Sequence, residues 1–583
     1  MVLSAIVGAV AGLGSVMFYT LLDLSKWFFT EYAIGLHPLP PGGEAPLLAA
    51  PAVELRKWML FIVPTLGGLA SGILVYSLAP EAEGHGTDAA IDAYHKHGGR
   101  VRARVPFVKT ISSAITIGTG GSGGREGPIA QIGSGFGSML AGWLKLRPHD
   151  RRVLMAAGMG AGIGSIFHAP LAGALFAAEV LYKELDLEYE VLIPAVIASI
   201  VAYAVFALNF GWDPLFVTPN FTFHNPAQLL PYFILALVVS GGAVTYIKVF
   251  YGIRDLFAKL PKVPNHVKPA IGGLLLGCIA FFVPGALGTG YGVVQGALLG
   301  KVGAWTLLLI GGAKILTTSF TIASGGSGGV FGPAIVIGGA LGGGVGILMQ
   351  QLFPGMGIQP GAFTLVGMAG FFAAAANTPL STIIMVSEMT GNYHLLVPSM
   401  WVCVIGFMIC KRWTIYEKQI GSRFDAPIHT GNMLKAVLKG ISVQQVLDYK
   451  NQNHEKLLPV PEHITLDELL DRFSNSGTNG FPVVDESGKL TGMIGVCDLR
   501  YSLGKPELNS LIVASDLAHN PIVVYPEDSL FRVIQLMATH KVEELIVVRE
   551  KDPTKPLAVI NRQDVVVVYQ QELFSSAQNE VKA

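Results

Sequence analysis

Two stretches hold the residues of this chain best suited to chemistry. They are Gly121-Ser122-Gly123-Gly124-Arg125-Glu126-Gly127-Pro128 and Gly326-Ser327-Gly328-Gly329-Val330-Phe331-Gly332-Pro333. Glycines ahead of a proline cannot carry an earlier helix onward. They can open a new one, because proline is preset for the first helical turn. A helix starting here aims free N–H groups and the positive end of its dipole at whatever faces the loop, which makes it an anion site. Gly124, Gly127, Gly329, Val330 and Phe331 are the candidate N–H donors. Amide donors bind a small anion without the trapping strength of a fixed cation. The first loop adds the only charges in its neighbourhood, Arg125 and Glu126. A carboxylate at membrane depth is costly unless it works. Being an anion, Glu126 can occupy the anion site and plug it until protonation or a competing anion displaces it. The plainer reading is a first-turn acid stabilised by the helix dipole. Arg125 either offsets charge at the mouth of the site or pairs structurally.

The elements around these loops repeat as well. Thr116-Ile117 and Thr321-Ile322 stand at the same distance ahead of them. His168-Ala169-Pro170-Leu171 and Asn377-Thr378-Pro379-Leu380 follow, each with a glutamate, Glu179 or Glu388, nine residues after its proline. Broken segments in corresponding places of two halves point to a transporter built from repeats. Of 583 residues, 51% are hydrophobic and only 14% charged, where a soluble protein carries about a quarter. The chain is therefore an integral membrane protein, and its zero net charge argues against nucleic acid. The four cysteines show no metal or redox spacing, so neither a metal nor a disulfide is expected. No cleavable signal pattern opens the chain, and residues 1–22 read as part of a first membrane helix. Trp58–Leu78, Val191–Phe210 and Leu229–Ile247 are uncharged and of spanning length. Apolar segments are also expected at about 105–118, 128–145 and 153–182. From Ile315 to Ser387 no Asp, Glu, Lys, Arg or His occurs, although glycines break the run. Such breaks must be buried in protein or line a cavity. The last apolar run, Leu395–Cys410, ends at Lys411-Arg412, which predicts a cytoplasmic exit. The reading is an all-α polytopic membrane domain over residues 1–425, with halves at about 1–215 and 226–425.

Beyond about residue 425 charges become frequent and no spanning segment remains. Residues 426–583 read as a soluble α/β domain of two similar units, about 441–505 and 512–573. Each has an amphipathic helix (Leu466–Phe473, Leu530–His540), then a strand, a turn and a strand.

Taken together, the membrane half resembles the CLC family of chloride channels and proton-coupled chloride transporters. Gly124-Arg125-Glu126-Gly127-Pro128 matches the family's GREGP signature, and Gly329-Val330-Phe331-Gly332-Pro333 its GxFxP signature. Tyr416 matches the tyrosine before the family's last membrane helix. The C-terminal part is similar to a tandem pair of CBS domains. The resemblance implies two inverted halves whose broken helices meet near the midplane around dehydrated chloride, and a homodimer with one pore per subunit. It makes Glu126 the gate. Tyr416 becomes an O–H donor to chloride, with a membrane-interface aromatic as the alternative. The family's serine loop corresponds to Gly84-His85-Gly86-Thr87-Asp88, where His85 holds the serine position and Asp88 the proline position. His85 N–H or Thr87 O–H can stand in as donor; alternatively His85 is simply an accessible loop histidine. The exchangers' internal proton glutamate falls on Val180. Glu179, one residue before it, is read as a structural helix acid paired with a base, as is Glu388 in the other half. In the CBS pair, Asp498 and Asp564 occupy the ribose-binding position. Gly495 and Asn561 replace the usual hydroxyl residues, so an adenine nucleotide is expected to bind weakly if at all.

The function expected from these residues is passive chloride conduction through a CLC-type channel, voltage- or pH-gated by Glu126. The alternative is a chloride/proton antiporter on the same scaffold. A membrane ATPase is disfavoured because the glycine loops lack a Gly-Lys-Ser/Thr ending. A nucleotide-sensing membrane protein leaves the repeated loops unexplained. Chloride is the expected ligand, with other small anions such as fluoride or nitrate as alternatives. No cofactor, catalytic residue or enzymatic activity is expected. The expected location is the cell (inner) membrane, with the CBS domains cytoplasmic.

Overall fold

The computed structural model describes residues 1–429, 435, 437–453, 456–476, 480–499 and 509–582. The chain divides into two units, Met1–Pro427 and Ile428–Ala583.

In the first unit, α1 (Val2–Lys26) runs on as a wider helical turn to Ile34. It is followed by α2 (Met59–Leu78), α3 (Thr87–Lys96), α4 (Arg104–Gly118), α5 (Glu126–Trp143), α6 (Pro148–Ile166), α7 (Pro170–Glu179) and α8 (Tyr189–Phe210). The second half holds α9 (Leu229–Ala258), α10 (Lys268–Phe282), α11 (Tyr291–Leu298), α12 (Ala304–Ala323), α13 (Phe331–Leu352), α14 (Pro360–Ala376), α15 (Pro379–Thr390) and α16 (Leu396–Cys410). Among the described residues, six helices are long and apolar enough to cross a membrane. The rest of the first unit's helices are shorter or broken, as a repeat of interrupted segments requires.

The breaks follow from local chemistry. Pro148, Pro170, Pro360 and Pro379 each open a helix, where a missing N–H costs nothing. The apolar segment expected at 153–182 is for this reason two helices, α6 and α7. Gly120 (φ 98°) and Gly325 (φ 104°) take left-handed backbone just past the ends of α4 and α12, which lets both loops turn back into the protein. The repeat is also packed alike in both halves. Gly133 of α5 meets the backbone of Gly158 in α6, and Gly338 of α13 meets that of Gly367 in α14. Side chains there would collide with backbone, so small residues set the close helix approach that membrane bundles depend on.

One expectation of chain order is corrected. Tyr416 follows α16 in an irregular turn, and no described helix of the first unit comes after it. The charged, glycine- and proline-punctuated residues 417–427 do not sustain another membrane helix.

The second unit holds two three-stranded sheets, β1 (Val460–Pro461), β2 (Gly480–Val484) and β3 (Leu490–Gly495), then β4 (Val523–Val524), β5 (Glu544–Arg549) and β6 (Asp552–Asn561). In each the middle strand pairs parallel with the first and antiparallel with the last. The amphipathic helices Leu466–Asn475 and Leu530–His540 are capped by Thr465 and Ser529. Each buries its apolar stripe in the core of its own module.

Candidate functional site

The two glycine loops bind each other. Gly124 N–H donates to Gly329 O at 2.8 Å, and Gly329 N–H to Gly124 O at 2.7 Å. This antiparallel bridge brings the start of α5, at Glu126, against the start of α13, at Phe331. It corrects the expected donor set: the N–H groups of Gly124 and Gly329 bond each other and are not free for an anion. The backbone N–H groups of Phe331, Gly332 and Glu126 itself approach the Glu126 carboxylate instead. Gly332 was missed in the sequence, although it occupies in the second loop the place that Gly127 holds in the first.

Glu126 is buried. Its side chain lies over Gly124, Gly329 and Gly332, and a Cβ at any of the three would crowd it. Neither carboxylate oxygen completes a hydrogen bond. A buried charge held by two helix ends, without a salt bridge, is stabilised chiefly by the dipoles and by peptide N–H groups close by. Such a carboxylate can leave when protonated, and another anion can take its place.

Aromatic rings close the site on one side. Phe331 packs against Phe372 (4.1 Å between ring centres) and Phe167 (5.0 Å). Phe176 stands between Phe331 and Tyr416, 6.4 Å from each. Val330 is buried, and its carbonyl accepts from Tyr246 Oη at 3.5 Å. Tyr416 is fully buried and its hydroxyl has no hydrogen-bond partner. Thr87, the first residue of α3, stands beside it without bonding it. An unsatisfied O–H in a dry site costs about 1–3 kcal/mol, a cost that an anion ligand removes. His85 packs its ring 5.5 Å from that of Tyr416 and 6.2 Å from that of Phe250, so it is a nearly buried part of this wall that also borders a cavity.

Arg125 points elsewhere. It pairs with Glu44 at 2.5 Å and lies over the rings of Tyr19, Tyr291 and Phe167. Of the two readings open for Arg125, the structure shows the pair. Glu44 and Tyr291 were not singled out in the sequence, because their partnership joins segments far apart in the chain.

Lys109 and Lys314 were also missed. Each sits within a largely apolar helix at the same place in its half. Lys109 Nζ donates to Gly84 O (2.7 Å) and Ala82 O (2.9 Å), while Lys314 Nζ donates to Gly288 O (2.5 Å). They tie down two similar loops, Gly84-His85-Gly86 and Gly288-Thr289-Gly290.

Val180 is buried and its carbonyl accepts from Gln419 Nε2 at 3.1 Å. Glu179 is not paired with a base. Its carboxylate accepts from Leu380 N (2.9 Å), Ser381 N (2.7 Å) and Ser381 Oγ (2.5 Å). In the second unit Asp498 accepts from Gly495 N at 2.7 Å and faces His519 at 3.3 Å. Asp564 accepts from Asn561 N at 2.9 Å and pairs with Lys450 at 2.9 Å.

The voltage gated chloride channel family model matches residues 67–411, and the CBS domain model matches residues 453–505 and 514–570. A Ralstonia nicotianae protein named "Putative chloride channel protein ClcB-like" is 30% identical over 410 residues, which cover 70% of this chain and 92% of that protein. The H(+)/Cl(-) exchange transporter ClcA of Yersinia pseudotuberculosis is 30% identical over 416 residues, covering 70% and 84%. The solved structure of a slow cyanobacterial Cl-/H+ antiporter superposes with TM-score 0.62 at 23% identity, covering 71% of this chain and 94% of that one.

Proposed function

Because the chain belongs to the voltage gated chloride channel family, with a CBS pair behind a multi-pass membrane domain, we propose that it exchanges chloride for protons. This replaces the passive channel that Val180 suggested. The observation that carries it is the Glu126 carboxylate, buried where the starts of α5 and α13 meet, with no salt bridge and no completed hydrogen bond, so that a proton and an anion contend for one place. A cavity of about 1180 Å³ reaches His85 and Gly86 on one side, and one of about 360 Å³ reaches Arg125 and Glu44. Relatives named H(+)/Cl(-) exchange transporters support the same reading.

In this reading chloride and the proton compete over one group. The ionised Glu126 carboxylate fills the anion site. Protonation cancels its attraction to the two helix ends, the side chain withdraws, and chloride takes its place under the N–H groups of Phe331 and Gly332 with the Tyr416 hydroxyl on the far side. When chloride departs, the acid gives up its proton to the opposite side and the carboxylate returns to the site. Chloride is the substrate we assign, with other small anions as competitors. The CBS pair and the Lys411-Arg412 exit are assigned to the cytoplasmic side of the cell membrane, and the family implies a homodimer. A cavity of about 680 Å³ in the second unit, lined by Tyr449, Gly480, Asn561 and Asp564, is the place for an adenine nucleotide. The engaged carboxylates of Asp498 and Asp564 make its binding weak. Reversal potentials of reconstituted protein test the main reading: exchange displaces them from the chloride equilibrium value when a pH gradient is imposed, and passive conduction does not.

A further inference from the structure

We infer that His85, with Asp88, is the inner proton-transfer group of this protein, standing in for the glutamate that Val180 replaces. The inference rests on the exchange reading. A proton crossing to Glu126 needs a titratable stop on the side away from Arg125. The position of the internal glutamate offers none, since Val180 is apolar and its neighbour Gln419 is an amide bonded to the carbonyls of Val180 and Ala376. Glu179 is held by the start of α15. Glu188, also buried near by, is bonded by Tyr182 and paired with Arg423.

His85 has what the others lack. It is only 7% exposed, yet it lines the large cavity. Nε2 faces Asp88 Oδ2 at 3.4 Å, and Nδ1 is buried with no hydrogen-bond partner. The His85 carbonyl packs against Gly127, the residue after Glu126, and the ring packs against Tyr416. The ring therefore touches both the wet cavity and the dry site. Charged groups line the cavity it borders, among them Glu81, Glu83, Asp92, Lys96, Arg102 and Arg151. Asp88 comes from α3 and Tyr416 from the segment after α16. Arg254 of α9 and Glu417 at the cavity wall are paired with each other. Lys418 gives its backbone N–H to Asp88, Lys109 of α4 is bonded to the loop carbonyls, and α5 brings Glu126 and the uncharged Gln131. The step balances simply. His85 accepts one proton from the cavity at Nε2, becomes an imidazolium beside Asp88, and gives up the Nδ1 proton towards the Glu126 carboxylate, which leaves the ring neutral.

The test is the full-length protein in liposomes, with chloride and proton fluxes recorded together under a chloride gradient and the ratio of the two read, not the rate. His85→Ser and His85→Gln should lower the proton-to-chloride ratio roughly tenfold or more, since a positioned acid–base group is worth at least that. Asp88→Asn should lower the ratio as well, because it removes the carboxylate charge that faces Nε2. Variants are scored only if they elute from a sizing column as the parent does, and the glutamine variant, closer in shape, covers a misfolded serine variant. A wild-type ratio in both His85 variants overturns the assignment, and so does a collapse in Glu188→Gln with His85→Gln unaffected. A parent that moves no protons uphill overturns the exchange reading, and His85 falls with it.

Discussion

Glu179 and Glu388 cap each other's helices. Glu179, at the end of α7, accepts from the backbone N–H groups of Leu380 and Ser381 at the start of α15. Glu388, near the end of α15, accepts from Leu171 N (3.3 Å) and Ala172 N (2.9 Å) at the start of α7. Two short helices thus lie side by side in opposite directions, and each supplies the anion the other's N-terminus requires. The repeat seen in the sequence is here a physical exchange between its halves, which explains why both glutamates stand nine residues after their prolines.

The arrangement makes Glu179 a stability residue. Glu179→Gln keeps one acceptor and loses the charge, so the melting temperature should fall by the equivalent of about 1 kcal/mol, with the proton-to-chloride ratio unaltered. Glu388→Gln should cost less, because Glu388 bonds backbone alone and lacks a partner such as Ser381 Oγ. Loss of proton coupling in Glu179→Gln would return this acid to the proton path.

Glu126→Gln places a neutral, permanently uncharged side chain where the carboxylate lies. Chloride efflux from liposomes should lose its dependence on pH, and uphill proton movement should fall to background. If the variant keeps the parent's full pH response, the gate is another residue.

Tyr416→Phe removes one hydroxyl and leaves the ring that packs on His85 and Phe176. A hydrogen bond to a charged group is worth about 1.5–3 kcal/mol, so chloride affinity measured by calorimetry should weaken by roughly one to two orders of magnitude. Unchanged affinity would remove the hydroxyl from the anion's coordination.

Glu544 provides a pH test in the second unit. Half-buried against Gly480, its carboxyl is pushed up to about 7, first by burial and then by Glu543, Asp498 and Asp564. A folded-state value raised above the usual 4.5 means that stability is full below about pH 4.5 and is lost as pH rises through 7. After discounting for solvent screening, the loss should be about 1–2 kcal/mol. Hydrogen exchange of β5 and β6 in the full-length protein, corrected for intrinsic rates, should show protection falling between pH 5 and pH 8. Glu544→Gln should flatten that fall.

What the sequence determined by itself was whatever short-range chemistry controls. The helix starts at Glu126, Phe331, Pro170 and Pro379 follow from glycine and proline geometry within a few residues. The membrane setting follows from composition, and the two-module second unit from its amphipathic helices and strand pairs. The tertiary structure decided the partnerships, because a partner hundreds of residues away leaves no local mark. Gly124 and Gly329 look alike as free donors until the bridge between them is seen. Arg125 reads equally as a charge at the mouth or as half of a structural pair until Glu44 arrives from the segment before α2. Glu179 reads in the sequence as an acid paired with a base, and the fold gives it a helix end instead. Tyr416 was expected ahead of a helix, yet its place in the site comes from the packing of Phe176 and His85 around it. For His85, the sequence showed only a departure from the family's loop. Its burial, its 3.4 Å approach to Asp88 and its position between the cavity and Tyr416 come from the fold, where α3, α5 and the chain after α16 converge on one ring.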